Sequence, residues 1–180
     1  MTTNSIGNVS AVEANGVGVY WDSGCSNGVS LIDWGNLAPG SLKSIVVYIR
    51  NEAEESKYLI LRTTNWKPLE TFQYLNLKWD YDGQRIKTSE NLQITLTLSV
   101  SRYIEGISSF SFDIIVTGSE SLPGDINGDG HVNIWDLGLI SEAWFTESGD
   151  PDYDPRADLN ADDKVNIWDK AILSENWLLG

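Results

Sequence analysis

Between residues 16 and 116 the chain alternates apolar and polar positions with a period of two. The clearest run is NLQITLTLSV (91–100), where Leu92, Ile94, Leu96, Leu98 and Val100 interleave with Gln93, Thr95, Thr97 and Ser99. That is the pattern of a strand with one buried and one wet face. SFSFDIIV (109–116) alternates in the same way through Phe110, Phe112 and Ile114. SIVVYIR (44–50), KYLILRT (57–63) and FQYLNLKW (72–79) are β-branched and aromatic runs, and GVGVYW (16–21) and VSLIDW (29–34) are two more. Asn36, Pro39-Gly40, Asn51, Asn65, Asp82-Gly83 and Gly106 punctuate them as turn signals. Seven short strands at this spacing, without helical periodicity, predict an all-β antiparallel sandwich over residues 1–118.

Past residue 120 the period lengthens. LGLISEAWF (137–145) and KAILSENWLL (170–179) carry apolar residues at helical spacing. Leu137, Ile140 and Trp144 mark one face of the first predicted helix, and Ile172, Leu173 and Trp177 mark the second. Each helix follows a twelve-residue polar frame: DINGDGHVNIWD (125–136), then DLNADDKVNIWD (158–169), offset by 33 residues (158 minus 125). In each frame positions 1, 3, 5, 9 and 12 carry a side-chain oxygen. These are Asp125, Asn127, Asp129, Asn133 and Asp136, then Asp158, Asn160, Asp162, Asn166 and Asp169. This is the spacing by which a short loop wraps a hard cation, with position 7 adding the backbone carbonyl of His131 or Lys164 and position 9 acting through water. The expected cofactor is therefore Ca2+, two ions, one per loop. Asp at position 12 is a methylene shorter than the usual Glu, so each loop must close more tightly. Asp163 stands at position 6, where the turn favours glycine, which predicts a weaker second site.

The flanks repeat too: Ile134-Trp135 with Ile167-Trp168, Ser141-Glu142 with Ser174-Glu175, and Trp144 with Trp177. Each unit is a loop and then a helix, with no helix entering the loop as a complete EF-hand would require. This duplicated EF-hand-type loop–helix resembles a type I dockerin, a calcium-dependent module that docks onto a cohesin. The resemblance covers residues 122–180 and implies a small α-helical calcium-binding domain at 125–180, joined through a linker at 119–124. It implies a cohesin-type partner, contacted by Ile134, Trp135, Ser141 and Glu142 and by Ile167, Trp168, Ser174 and Glu175. Positions 10 and 11 of each loop are Ile-Trp here, where familiar dockerins often carry small hydroxylated residues, so the matching groove must be more apolar. The near-identity of the copies implies a pseudo-twofold pair able to dock in two orientations. It also implies that the module's ends meet, with Leu122-Pro123 clasped near Trp177 or Leu178. The preceding sandwich is similar to the immunoglobulin-like modules of secreted microbial proteins, without the buried disulfide of antibody domains, because Cys25 is the only cysteine.

Charge separates the same two regions. Residues 1–119 hold 12 acids and 9 bases, while residues 120–180 hold 14 acids and 3 bases. The acid gathers where cation ligands are needed. A basic footprint for nucleic acid is missing, and without metal the C-terminal half has little core to hold it, so its folding should be linked to calcium. No stretch is apolar enough to insert in a membrane, and MTTNSIGNVS lacks a signal-peptide pattern, which reads as a mature or excised fragment of an extracellular protein. Asn8-Val9-Ser10 is a glycosylation triplet of the kind that also arises by chance.

A catalytic reading finds no chemistry. His131 is the sole histidine and sits at loop position 7, no nucleophile motif accompanies it, and His and Cys are too few for zinc. The acids Asp80, Asp82, Glu54 and Glu55 fall in turns. The protein is expected to be no enzyme. Trp21, Trp34, Trp66 and Trp79 have two readings: core residues, the commoner fate, or a sugar-stacking platform that would make the sandwich a carbohydrate-binding module of a polysaccharide-degrading system. Trp135 and Trp168 are open between partner contact and internal packing. A third reading gives the calcium half only a rigidifying role in a surface protein.

Overall fold

The computed structural model describes residues 9–178. Asn8 of the glycosylation triplet, the segment before it, and Leu179 lie outside the described residues. The chain divides into two compact units: residues 1–81 with 85–118, and residues 82–84 with 119–180.

The first unit is a two-sheet sandwich. Its strands are β1 (Val9–Asn15), β2 (Val17–Tyr20), β3 (Leu31–Asp33), β4 (Leu42–Asn51), β5 (Tyr58–Lys67), β6 (Leu75–Trp79), β7 (Asn91–Val100) and β8 (Ser111–Ser119), with a 3-10 helix at Leu69–Gln73. One sheet runs β3-β1-β8-β5 and the other β2-β4-β7-β6. The longest ladder pairs β4 with β7, from Leu42↔Ser99 to Arg50↔Asn91. In β7 the alternation seen in the sequence is realised: Ile94, Leu96, Leu98 and Val100 are buried, and the residues between them are not. Burying one aliphatic side chain of this kind is worth about 1.5–3 kcal/mol, so a one-residue slip of register would forfeit the whole face.

Three expectations need correction. The sandwich is not wholly antiparallel, because β1 lies parallel to β8, from Val9↔Ser111 to Asn15↔Thr117. β1 itself is absent from the seven strands read in the sequence. Its inward position is Ser10, fully buried and accepting a 2.9 Å hydrogen bond from the Trp34 indole, so a polar residue occupies the place where the apolar signal should stand. The run at 72–79 also begins later than expected, since Phe72 and Gln73 belong to the 3-10 helix.

The tryptophans take separate fates. Trp34 is a core residue. Trp66 is half-buried, its ring 4.0 Å from that of Phe112 and nearly parallel to it. Trp79 is half-buried against Tyr81, and Trp21 is partly exposed. With Trp34 inside the core, the four do not form one platform.

The second unit holds α1 (Ile134–Glu142) and α2 (Ile167–Glu175). Both helices start on an Asn, and both stop after nine residues. Trp144 and Trp177 therefore fall past the helix ends rather than on a helix face. Trp144 is half-buried and Trp177 is partly exposed, while Ile140 and Leu173, 33 residues apart, carry the burial. Among the described residues no helix is long and apolar enough to cross a membrane.

Candidate cation loops and an exposed Ile-Trp pair

Each loop is organised from its acidic ends. In the first, Asp125 Oδ1 accepts from the Gly128 and Asp129 amides and Oδ2 from the Gly130 amide, at 2.8, 3.1 and 2.9 Å. Asn127 Oδ1 accepts from the Asp129 amide, and Asp129 Oδ1 from the His131 amide. These bonds fold the backbone around its own oxygens. The Asn127 amide also donates to Asp129, and this bond with that from the His131 amide holds the Asp129 carboxyl below its ordinary pKa.

Position 12 closes the loop and opens the helix. Asp136 Oδ1 accepts from the Ile126 and Asn127 amides at 2.8 and 3.2 Å, and Oδ2 accepts from the Asn133 amide at 2.9 Å. Asn133 in turn accepts from the Trp135 amide, completing a capping box at the N-terminus of α1. The second copy repeats this bond for bond. Asp169 accepts from the Leu159, Asn160 and Asn166 amides at 2.8, 3.3 and 2.7 Å, and Asn166 caps α2 through the Trp168 amide. Asp at position 12 is thus long enough to serve as both loop latch and helix cap. The oxygens of Asn133 and Asn166 at position 9 each accept one of those capping bonds.

Asp136 and Asp169 are both 0 % exposed. A buried carboxylate needs compensation, and among the described residues no Lys or Arg forms an ion pair with any loop ligand. The ion pairs nearby are Lys164–Glu147 and Arg156–Asp154. Three amides on each buried carboxylate leave about one of its four lone-pair sites open. Among the described residues no three Asp, Glu, His or Cys side chains stand close enough to make a ready cation cage. The donor set is instead a mixture of carboxylates and Asn amide oxygens on a closed loop, which is hard-oxygen chemistry.

The copies differ in backbone and in neighbours. Gly128 and Gly130 of the first loop have φ of 76° and 87°, and their counterparts Ala161 and Asp163 keep the same left-handed conformation at 57° and 65°. The sequence reading had identified Asp163 and missed Ala161. The Tyr153 hydroxyl donates to Asp158 Oδ2 at 2.9 Å, and that bond to a carboxylate pushes the Tyr153 pKa up to about 12.

A reciprocal tie joins the repeats. The Phe145 amide donates to the Val165 carbonyl at 2.9 Å, and the Leu178 amide to the Val132 carbonyl at 2.8 Å. Each pair is the other shifted by 33 residues, so the segment after each helix is fastened to the loop of the opposite repeat. Phe145 and Leu178 adopt left-handed φ values of 61° and 64°, unusual for bulky side chains. Gly124 packs so closely on α2 that a Cβ there would sit 3.2 Å from the Leu173 Cα. Gly124 therefore lies against α2, and Leu178 is tied to the first loop. The Leu178 side chain is exposed while Leu122 is buried, so the tie at Leu178 is made by its backbone.

Ile134, Trp135, Ile167 and Trp168 do not pack inward: Trp135 is 71 % exposed and Trp168 66 %. The capping bond to each Trp amide fixes where these side chains leave the helix. Ser141 and Ser174, with Glu142 and Glu175, are exposed farther along α1 and α2, each serine hydroxyl donating to the carbonyl four residues back.

Among solved structures, a PapD-like (ASH) domain of human CEP192 is 8 % identical, with a TM-score of 0.30, covering 66 % of this chain and 89 % of that one. Two interface mutants of a type II cohesin–X-dockerin complex from Acetivibrio cellulolyticus are each 16 % identical. The C-terminal mutant has a TM-score of 0.32 and covers 95 % of this chain and 96 % of that one; the N-terminal mutant has 0.31, covering 94 % and 93 %. Resemblance at these scores does not bear on function. No curated protein matches the chain. The loops and helices described above fall within one family match, to the dockerin type I domain, at residues 123–177, so the segment that follows the β-sandwich unit is similar to a type I dockerin.

Proposed function

We propose that the protein is a non-catalytic docking protein whose C-terminal segment binds a cohesin-type module in a calcium-dependent way and carries residues 1–118 as its attached module, through a connector at 119–124. The observation that carries this is the duplicated pairing of a buried position-12 carboxylate with an exposed Ile-Trp beside it. Two calcium ions fit the oxygen set: Asp125, Asn127, Asp129, Asp136 and the His131 carbonyl in one loop, and Asp158, Asn160, Asp162, Asp169 and the Lys164 carbonyl in the other. Asn133 and Asn166 act through water. Calcium supplies the positive charge that the buried carboxylates lack.

The partner face consists of Ile134, Trp135, Ser141 and Glu142 with their repeats Ile167, Trp168, Ser174 and Glu175. Two exposed tryptophans held by capped helix starts are preordered anchors, so little side-chain freedom is lost on docking. The family of the matched segment and the hard-oxygen loops favour a secreted or surface setting.

The test is a pull-down of the full chain on immobilised type I cohesin modules, with calcium and with chelator. Retention with calcium and release by chelator is the expected result. Retention that survives chelation, or none on any cohesin from the source organism, would overturn the reading.

A further inference from the structure

The sandwich has a surface feature of its own. A trough of about 780 Å³ runs where β5 and β6, edge strands of opposite sheets, approach each other beneath the 3-10 helix. Trp66, Phe72 and Tyr74 supply its aromatic surface, and Thr63, Gln73 and Asn76 its polar surface. No residue lining it is charged, on a chain of formal net charge −14.

We propose that this trough binds a neutral polysaccharide chain. An ionic ligand would meet no counter-charge there, and would have to be desolvated without compensation. A purely apolar ligand would leave the Gln73 and Asn76 amides unpaired. A sugar chain offers both surfaces the trough asks for: flat C–H faces that lie on aromatic rings, and hydroxyls that exchange hydrogen bonds with planar amides. The open form suits a chain passing through rather than a small molecule enclosed on most sides. Trp66 is held ready, because its ring is stacked on Phe112, which itself stacks with the core residue Trp34. Phe72 is 52 % exposed and lines the trough. An extended peptide added to the edge of β6 is the competing occupant, but β6 is five residues long and carries the exposed Lys78, both of which discourage strand addition.

This inference is independent of the docking face, since all the lining residues belong to the sandwich unit. The experiment is affinity electrophoresis of the full chain, with calcium present, in gels containing hydroxyethylcellulose, xyloglucan, galactomannan or, as an anionic control, polygalacturonate. Retardation by at least one neutral polysaccharide and none by polygalacturonate is expected. Phe72→Ala with Gln73→Ala should weaken that retardation about tenfold, as expected for losing one well-covered aromatic contact, without moving the thermal transition of the sandwich. The proposal is overturned by mobility unchanged in every neutral gel, by retardation that the double substitution leaves intact, or by polysaccharide binding displaced equally well by a generic β-strand peptide.

Discussion

The two candidate cation loops share nearly every hydrogen bond and differ where the backbone turns left-handed. Asp125 and Asp158 both gather the amides of positions 5 and 6, and Asp136 and Asp169 both gather those of positions 2, 3 and 9. Yet the first loop turns on two glycines and the second on Ala161 and Asp163 at the same positive φ. The carboxylate network imposes the loop conformation, and glycine only makes it cheaper. A non-glycine residue there costs roughly 1 kcal/mol or somewhat more, and three amides on a buried carboxylate outweigh that. The second loop keeps its shape and pays for it in strain.

The largest test of this equivalence is the ion itself. Chelation should unfold residues 119–180 and leave the sandwich transition in place, since calcium at a thousandfold excess over its Kd contributes about 4 kcal/mol per site. Heating scans with and without chelator show this as one calcium-dependent and one calcium-independent transition. Calorimetry should resolve two sites of unequal affinity, the first loop being tighter. Two identical affinities would break the comparison at once.

Next are the latches. Asp136→Ala and Asp169→Ala each strand three amides, at about 1 kcal/mol apiece, so each should lower the stability of the C-terminal unit by about 3 kcal/mol in denaturant melts. Equal losses would show that the network, not the turn residues, sets both loops.

The docking face is then expected to behave symmetrically. Trp135→Ala or Trp168→Ala alone should change cohesin affinity little, because the intact copy can be used with the module turned by about 180°. The double variant should lose about 2 kcal/mol or more, which titration calorimetry reads directly. One single variant as damaging as the double would end the two-orientation reading.

The smallest effect isolates the strain. Ala161→Gly and Asp163→Gly should each tighten the second site by about 1 kcal/mol, roughly fivefold, while Gly128→Ala and Gly130→Asp loosen the first by a similar amount. Unchanged second-site affinity would move the cause of the inequality elsewhere, with the Tyr153–Asp158 bond as the next place to look.

What could be read from the sequence follows the same division. Side-chain oxygens at fixed spacing declare a loop whatever surrounds them, so the places of the loop carboxylates and amides could be read from the chain alone. The alternation in β7 was legible because each of its inward positions is apolar. β1 was not, because Ser10 faces the core and is satisfied by Trp34, a partner 24 residues away. The parallel pairing of β1 with β8 depends on contacts about a hundred residues apart, to which local periodicity is blind. The fate of the tryptophans was equally hidden, since only the tertiary fold puts Trp34 in the core and Trp135 in solvent. Ala161 was overlooked because its φ is imposed by the flanking carboxylates rather than by its own preference.

The crossed amide bonds from Phe145 to Val165 and from Leu178 to Val132 make each repeat the keeper of the other. A helix that frays releases the partner's loop, and a loop that opens frees the partner's C-terminal segment. Neither half can be lost privately. The C-terminal unit therefore melts and reforms as one body, and a chain ending before Leu178 would lose its grip on the first loop although every ligand of that loop remained.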